Sequence, residues 1–301
     1  MEDSWFNYYK FLKPIGSGGM GIVYLAYAVK LNKEVVVKQL ASKSDDVYEI
    51  SEAIRLFERE AKLLRTLSHS GIVPILDYHV TVDGKYFLVM DYIKGKDLSV
   101  VLKNFGTFDS EATVEIGIQC CKVLDYMHSQ NPPIIYRDLK PSNLMLTPEG
   151  KVIFIDFGIA RIVNTVDKAT KVVTSGYSPP EQYYGRPEPR SDLYALGITM
   201  GHLLTGVKPK PLTQSIPIKD NSKVNGQLND LIFRLTSYNI EDRPKSANEV
   251  LGELKVIFQT LRGYPRTTQT SLPGFSTPSR ATDTTLLQKI INFIKNIKND
   301  T

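Results

Sequence analysis

Two short apolar runs, separated by a turn signal, lie near the middle of the chain. They cover residues 144–146 and 152–155, and the link between them, residues 147–151, reads Thr-Pro-Glu-Gly-Lys. Apolar runs joined by a Pro- and Gly-containing link predict a β-hairpin. Because hairpin strands are antiparallel, their outer ends meet, and we expect Asn143 and Asp156 to lie close together.

Strand patterns also dominate the first ninety residues. Runs rich in β-branched and aromatic residues at 11–15, 22–25, 34–40 and 86–90 predict β-strands. The segment from about residue 50 to 67 is different, because its apolar residues recur every three or four positions. This predicts one amphipathic helix, whose apolar face holds Ile50, Ile54, Phe57, Ala61 and Leu64.

Helical periodicity prevails after about residue 109. Asp109 or Ser110 is placed to cap a helix that runs to about residue 128, and a second apolar helix, residues 191–205, ends at Gly206. Ser246 and Glu249 have the spacing of a capping box ahead of a last helix. The chain therefore predicts a strand-rich part followed by a helix-rich part.

The last forty residues change character twice. Residues 263–285 are rich in Ser, Thr, Pro and Gly, which predicts a flexible linker. Residues 286–301 predict an amphipathic helix, about 24 Å long and hence shorter than a bilayer core of about 30 Å. Two interpretations stay open for it: peripheral contact with an anionic membrane surface, or pairing with another helix, by self-association or with a partner.

Composition places the chain among ordinary globular proteins. It has 301 residues, 42% of them hydrophobic and 23% charged, and length alone favours two domains or lobes. The net charge of +5 is spread along the chain, so nucleic acid is not expected as a partner. Adjacent Cys120 and Cys121 favour a reducing compartment, and the start lacks a signal-peptide pattern. We expect a cytoplasmic location, with peripheral membrane contact through residues 286–301 as the alternative.

Candidate chemistry lies around the predicted hairpin. Asp138, Lys140, Asn143 and Asp156 fall within about twenty positions. The oxygen ligands of Asn143 and Asp156 suit Mg²⁺, which takes its other ligands from water and substrate phosphates. Asp138 can accept a proton from an attacking hydroxyl, and Lys140 can hold a phosphoryl group. Any one of these residues alone would favour a solvated turn, but their joint spacing favours a site.

A glycine-rich segment follows the first predicted strand. Gly16, Gly18 and Gly21 let a backbone approach phosphate oxygens closely. The same Gly-x-Gly-x-x-Gly spacing opens a helix in dinucleotide-binding folds. Here β-branched and aromatic residues follow, which favours a strand–loop–strand lid over the phosphates.

Lys38 is embedded in a β-branched run. An edge-strand lysine that reaches to water is the common reading of such a residue. Glu60, however, lies on the apolar face of the predicted helix, and a carboxylate that faces a core needs a charged partner. We therefore predict an ion pair between Lys38 and Glu60 in the active conformation.

These motifs together resemble the protein kinase family. The resemblance rests on the glycine-rich segment, Lys38, the Tyr-Arg-Asp-Leu-Lys-Pro-Ser-Asn stretch at 136–143, and Asp-Phe-Gly at 156–158. The sequences of these motifs look most like the bacterial branch of the Hanks-type serine/threonine kinases, and the resemblance covers about residues 9–262. Tyr136 replaces the signature histidine, and Val173 replaces the usual glycine before Thr174.

The resemblance implies an α+β, bilobal fold with a small antiparallel β-sheet lobe plus one helix and a larger, mainly helical lobe. Its implied boundaries are a lead at 1–8, an N-lobe at 9–90, a hinge at 91–96, a C-lobe at 97–262, a linker at 263–285 and the helix at 286–301.

The resemblance also implies the residue roles. Catalysis falls to Asp138, Lys140, Lys38 and Glu60, and metal binding, by Mg²⁺ or Mn²⁺, to Asn143 and Asp156. The implied ATP contacts are Gly16, Ser17, Gly18, Gly19, Gly21, Val23, Lys38, Met90, Asp91 and Ile93. Regulation is implied for Arg137 with Thr165, Thr170 and Thr174, and structural anchoring for Glu181, Asp192 and Arg243.

The implied activity is transfer of the γ-phosphoryl group of ATP to serine or threonine hydroxyls of proteins, with autophosphorylation of the activation segment. Two alternatives are a nucleotide-binding pseudokinase scaffold and a small-molecule kinase of related fold. The retained lysine, base and metal ligands disfavour the first, and the Pro-Pro-Glu and Asp-Arg-Pro anchors disfavour the second.

Overall fold

The computed structural model describes residues 4–18, 21–40, 47–157, 176–212, 224–263 and 285–296. The chain divides into two compact units. Unit 1 comprises Met1–Lys94 and Ile153–Val173, and unit 2 comprises Gly95–Val152 and Thr174–Thr301. The division at Lys94 falls inside the segment predicted as a hinge, 91–96; the predicted domain boundaries themselves stay predictions.

Unit 1 is built on a five-stranded antiparallel sheet with the strand order β1-β2-β3-β5-β4. One long helix, α1, accompanies the sheet, and its buried residues Phe57, Ala61 and Leu64 lie on the face that the sequence predicts. β4 has no counterpart in the sequence prediction. The bounds are β1 Tyr9–Gly18, β2 Gly21–Ala28, β3 Lys33–Leu40, α1 Val47–Arg65, β4 Ile75–Val80 and β5 Tyr86–Asp91.

The expected strand–loop–strand arrangement at the glycine-rich segment is confirmed. β1 runs through Gly18 and β2 starts at Gly21, with Gly18 paired to Gly21. Gly21 has φ +130°, and a Cβ there would lie 1.9 Å from the carbonyl oxygen of Gln39. Residue 21 therefore has to be glycine for β2 to pair with β3.

The amino-terminal lead packs onto the sheet of unit 1. A short 3₁₀ helix, Ser4–Tyr8, buries Trp5, whose ring stacks on His79 with a centroid distance of 4.8 Å. Trp5 Nε1 and the hydroxyl of Tyr9 donate to the same carboxylate oxygen of Asp77, at 3.1 and 2.9 Å. The lead thus contributes to the hydrophobic core of unit 1.

Unit 2 is mainly helical. Its helices are α2 Leu98–Phe105, α3 Ser110–His128, α4 Pro180–Tyr183, α5 Pro189–Thr205, α6 Gly226–Leu235, α7 Ala247–Leu261 and α8 Leu286–Asn296. Short 3₁₀ helices occupy Pro141–Asn143 and Ile240–Asp242. The small strands β6 Lys96–Asp97, β7 Leu144–Leu146 and β8 Val152–Phe154 form a second sheet in that order.

α5 is the central helix of unit 2. Nearly all of its residues are buried, which is typical of a helix surrounded by other elements. A Cβ on Gly197 would lie 2.6 Å from the Cβ of Leu235, so this glycine allows α6 to approach closely. Gly206 ends α5 in the left-handed conformation at φ +70°, as the sequence predicts. Cys120 and Cys121 are buried free thiols on α3.

The helix caps agree with the sequence in part. Asp109 caps α3 by accepting from the backbone N–H of Ala112 at 2.8 Å. Ser246 caps α7 by accepting from the N–H of Glu249. The reciprocal half of the predicted capping box is wrong, because the Glu249 carboxylate accepts from the N–H of Lys245 at 2.8 Å.

The predicted hairpin between residues 144 and 155 is confirmed. Its turn is closed by the N–H of Thr147 to the carbonyl of Lys151 and by the N–H of Gly150 to the carbonyl of Thr147, both at 2.9 Å. Gly150 adopts φ +78°, which favours glycine. Asn143 belongs to unit 2 and Asp156 to unit 1, so their proximity stays a prediction.

The predicted carboxy-terminal helix is present over Leu286–Asn296, and its apolar face is covered by the chain. α8 ends at Asn296, and residues 297–301 lie outside the described part. Its apolar face, Leu287, Ile290, Ile291 and Ile294, is buried. Among the helices of the described segments, none combines the length and the apolar character needed to cross a bilayer.

Candidate active site

A compact cluster of polar side chains forms in unit 2 between Arg137 and β7. The carboxylate of Asp138 is 2% exposed, and the ammonium of Lys140 lies 3.0 Å from its Oδ2 and 3.2 Å from its Oδ1. Pro141 starts the 3₁₀ helix that carries Asn143, and this single turn brings Asn143 back toward Asp138. Three side chains from six consecutive positions therefore meet.

The side-chain amide of Asn143 has a defined orientation. Its Nδ2 donates to the backbone carbonyl of Asp138 at 2.8 Å and to the Oδ2 of Asp138 at 2.9 Å. With the amide nitrogen bound on this side, the amide oxygen points the other way. An oxygen presented in this manner suits Mg²⁺ and similar hard cations.

Asp192, at the start of α5, holds the backbone ahead of Asp138. Its carboxylate is buried, and it accepts from the N–H of Tyr136 and the N–H of Arg137, both at 2.8 Å. Its Oδ2 also lies 2.9 Å from Nε2 of His128 on α3. Arg137 adopts φ +66°, a strained conformation for a residue with a side chain. The contacts of Asp192 stabilise this conformation, and so fix the direction in which Asp138 enters the site.

Further hydrogen bonds hold the backbone of the loop that carries Asp138. Gln182 Nε2, on α4, donates to the carbonyl of Arg137 at 3.0 Å and to the hydroxyl of Ser178 at 3.1 Å. The hydroxyl of Thr199 donates to the carbonyl of Leu139 at 3.4 Å. α4 and α5 are thus both tied to the loop that carries Asp138.

Glu181 and Arg243 form the ion pair that the sequence motifs imply. The guanidinium of Arg243, 3% exposed, donates to both carboxylate oxygens of Glu181, at 2.7 and 3.1 Å. Ser191 donates to Glu181 as well. Burial alone would raise the pKa of Glu181, but the hydrogen bonds from Arg243 and Ser191 outweigh it and hold the pKa below its usual value.

A second polar pair lies just before the Pro-Pro-Glu sequence at 179–181. The hydroxyl of Tyr177 lies 2.6 Å from Nδ1 of His202, which α5 carries one turn before its end. Burial raises the pKa of Tyr177 to about 12, and burial together with nearby Lys208 lowers the pKa of His202. The pair therefore joins a neutral phenol to a neutral imidazole near pH 7.

Unit 1 contributes a lysine and a carboxylate. β3 carries Lys38 opposite Val23 of β2 and Leu88 of β5. Lys38 is 8% exposed as a residue, and its ammonium lies 2.6 Å from Oδ2 of Asp156. Glu60 is half-buried on α1 and has interactions of its own. The structure thus pairs Lys38 with Asp156, while the Lys38–Glu60 pair stays a prediction.

The implied ATP-binding residues of unit 1 lie on the strands of its sheet. Gly16, Ser17 and Gly18 end β1, and Gly21 and Val23 begin β2. Met90 is buried at the end of β5, followed by Asp91, which pairs with Lys33. Ile93 is half-buried beyond the strand. Gly19 and the phosphorylation candidates Thr165, Thr170 and Thr174 lie outside the described residues.

The contacts of several residues in and around the site are not predicted from the sequence. Gln182, His202 and Thr199 carry no motif of their own, and each acts on a residue at least 25 positions away. His128, the last residue of α3, contacts the Asp192 carboxylate. The helical pattern around a histidine gives no signal of a buried acid partner 64 positions away.

Comparison with known proteins agrees with this geometry. The model of the protein kinase domain family matches residues 9–267. A probable serine/threonine-protein kinase of Clostridium perfringens is 36% identical over 83% of this chain, and PrkC of Bacillus subtilis is 31% identical over 84%. These matches cover 38% and 41% of the two relatives, so the chain spans less than half of their length.

Solved structures show the same fold. PpkA-294 in its apo form superposes with a TM-score of 0.71 at 25% identity, covering 83% of this chain and 96% of that one. The kinase domain of Mycobacterium tuberculosis PknI gives a TM-score of 0.67 with the same identity. The expected α+β kinase fold and its bacterial Hanks-type branch are confirmed, and the chain belongs to the protein kinase domain family.

Proposed function

We propose that the protein is an active serine/threonine protein kinase that transfers the γ-phosphoryl group of ATP to protein hydroxyls. The observation that carries the proposal is the cluster of buried Asp138 and Asn143 with half-buried Lys140. Curated relatives with the same domain are named serine/threonine-protein kinases. Phosphoryl transfer asks a protein mainly for positioning and charge stabilisation, and this cluster supplies both.

In the proposed mechanism, Asp138 orients the acceptor hydroxyl and takes its proton as the oxygen attacks the γ-phosphorus. The bond from that phosphorus to the β,γ-bridging oxygen breaks, and ADP leaves with the electron pair. Lys140, which lies beside Asp138, stabilises the negative charge on the transferred group. Fixed hydrogen bonds to Asp138 reduce the reorganisation that the reaction needs.

The same proposal assigns ATP and its cation to the residues that the family motifs imply. Asn143, with its amide oxygen turned away from Asp138, and the Asp156 carboxylate suit Mg²⁺, with Mn²⁺ as a substitute. Lys38 would contact the α- and β-phosphates, and its ion pair with Asp156 sets the position of both side chains. The bound cation supplies charge neutralisation between the phosphates.

Protein substrates and control by phosphorylation belong to the same proposal. We infer that Thr165 or Thr170 is autophosphorylated and pairs with Arg137, and that Thr174 contacts the substrate segment. The backbone of Arg137 is already fixed by Asp192 and Gln182, so a phosphate would bind to an anchored residue.

The experiment that tests the proposal is phosphotransfer from γ-labelled ATP in Mg²⁺ to a generic protein acceptor, followed by phosphoamino-acid analysis. We expect phosphoserine or phosphothreonine in the acceptor with wild type, and none with Lys38→Met. Nucleotide binding by wild type without any transfer would instead identify a pseudokinase. Label in a small molecule and none in protein would identify the small-molecule alternative.

A further inference from the structure

α8 lies outside the part of the chain that the family model matches. That match ends at residue 267, whereas α8 begins at Leu286. Yet the helix is covered as a core element would be: Ile290 is 0% exposed, and Leu287, Ile291 and Ile294 are below 10%. The opposite face, with Gln288, Lys289 and Asn292, is exposed. An element beyond the matched domain is therefore bound through its apolar face.

The turn of the β7–β8 hairpin contacts this face. A Cβ built on Gly150 would lie 2.8 Å from Cδ1 of Ile291, so the helix rests directly on the backbone of the turn. Glycine at position 150 serves two purposes, because its φ of +78° also favours glycine. Lys295, one turn after Ile291, lies near enough to Glu149 to act on its carboxylate electrostatically.

Gln119 of α3 holds the same turn with both ends of its amide. Its Nε2 donates to the carbonyl of Gly150 at 3.0 Å, and its Oε1 accepts from the N–H of Val152 at 2.9 Å. Gly150 thus lies between the hydrogen bonds from Gln119 of α3 and an apolar contact with α8. These hydrogen bonds fix the backbone of the turn in the conformation that α8 contacts.

We propose that the turn at residues 147–151, held by Gln119, is a docking site for an amphipathic helix, and that α8 occupies it as a ligand in cis that braces the hairpin turn. The apolar face of α8 is buried in the docked state. A membrane surface or a second copy would have to compete with the docked state for the same isoleucines.

The test compares hydrogen exchange in two full-length variants. Ile290→Asp places a charge in the buried face, and Asn292→Asp makes the same charge change on the exposed face of the same helix. We expect Ile290→Asp to speed exchange at the amides of Gly150 and Val152 by about tenfold or more, since local opening sets their protection. Asn292→Asp should leave these rates unchanged.

A synthetic peptide of residues 285–301 gives the second readout. Added to the Ile290→Asp protein, it should slow exchange at Gly150 and Val152 again, because the vacated site accepts a helix in trans. A peptide that carries the Ile290→Asp change should have no effect. The milder variant Ile291→Ala, which removes the atoms nearest Gly150, should change the rates in the same direction as Ile290→Asp, by less.

Three results would overturn the proposal. The first is equal exchange at the turn in Ile290→Asp and Asn292→Asp. The second is failure of the wild-type peptide to restore protection at any concentration. The third is wild-type protection that falls on dilution, since that would assign the docked helix to a second copy. None of these readouts depends on phosphotransfer, so they stand whether or not the kinase assay succeeds.

Discussion

The two sets of predicted catalytic residues are built in different ways. In unit 2, Asp138, Lys140 and Asn143 lie within six positions and bind one another directly. In unit 1, Lys38 and Asp156 are separated by 118 positions and meet through one ion pair at 2.6 Å. The first set is fixed by a local turn plus several supports from α4 and α5, and the second depends on how a strand and a distant segment pack.

This difference shows when the spacing of a motif predicts how its side chains are arranged and when it does not. Residues of one turn keep their relation whatever the rest of the unit does, provided that the backbone is held. A lysine on β3 can reach more than one carboxylate, and motif spacing does not choose between them. Glu60 and Asp156 are both candidates for Lys38, and the structure pairs it with Asp156.

The largest expected effect is on the stability that unit 2 gains from the Glu181–Arg243 ion pair. Glu181→Gln removes the carboxylate charge that faces the buried guanidinium of Arg243, and we expect a loss of about 3–5 kcal/mol of unfolding free energy. Urea unfolding measures it. The matched control is Glu241→Gln, because the Glu241 side chain is 71% exposed and loss of its ion pair with Arg190 should cost below about 1 kcal/mol.

The same pair has a predicted pH dependence. The pKa of Glu181 is lower in the fold than in the unfolded chain, so its contribution to stability is complete above the unfolded value of about 4.5. That contribution is lost as the pH falls through the folded value. Glu181→Gln should therefore flatten the acid side of the stability profile, and an unchanged profile would contradict the assignment.

The next effect concerns Lys140 inside the unit 2 set. Lys140→Met removes the positive charge beside Asp138, and we expect kcat to fall by about 10²–10³-fold, as for loss of one group that stabilises developing charge. Steady-state kinetics with saturating ATP measures it. Unchanged kcat with only a raised KM would show that Lys140 binds the ground state and the transition state equally.

A smaller effect decides between the two partners of Lys38 in unit 1. If Glu60 pairs with Lys38 in the active conformation, Glu60→Gln misplaces the lysine, and a displacement of about 1 Å lowers the rate by about 10²-fold. The matched control is Glu58→Gln on the same helix, which should change little. An unaffected Glu60→Gln enzyme would leave Asp156 as the sole partner needed for catalysis.

The smallest effect is at the Tyr177–His202 pair. Because burial lowers the pKa of His202, the unfolded chain takes up this proton first as the pH falls, so stability declines below about pH 6.5. His202→Gln should reduce that slope in urea unfolding measured above and below this pH. Tyr177→Phe should keep the slope while lowering stability by about 1 kcal/mol at every pH.

Much of the fold follows from local patterns in the sequence. The apolar face of α1, the cap of α3 at Asp109 and the end of α5 at Gly206 depend on residues within a turn or two of each other. The hydrogen bonds between distant elements are of another kind. Gln182 to Arg137, His202 to Tyr177 and Gln119 to Gly150 join residues 25 or more positions apart.

The contacts of the carboxy-terminal helix are likewise not predicted by local sequence patterns. Its isoleucine spacing predicts an apolar face, but periodicity alone does not say whether lipid, a partner or the chain itself covers that face. Ile291 of that face rests on a turn whose relevant feature is the missing side chain of Gly150. An absent side chain that accommodates a distant helix leaves no periodic signal.

The central claim is that Asp138 acts as the base in phosphoryl transfer, and single-turnover transfer to a protein acceptor tests it most directly. Wild type and Asp138→Asn are compared at equal, measured nucleotide occupancy, so that binding and chemistry separate. The account predicts a rate about 10²–10⁴-fold lower for Asp138→Asn, with the acceptor labelled on serine or threonine by wild type. Equal rates in the two proteins would contradict it.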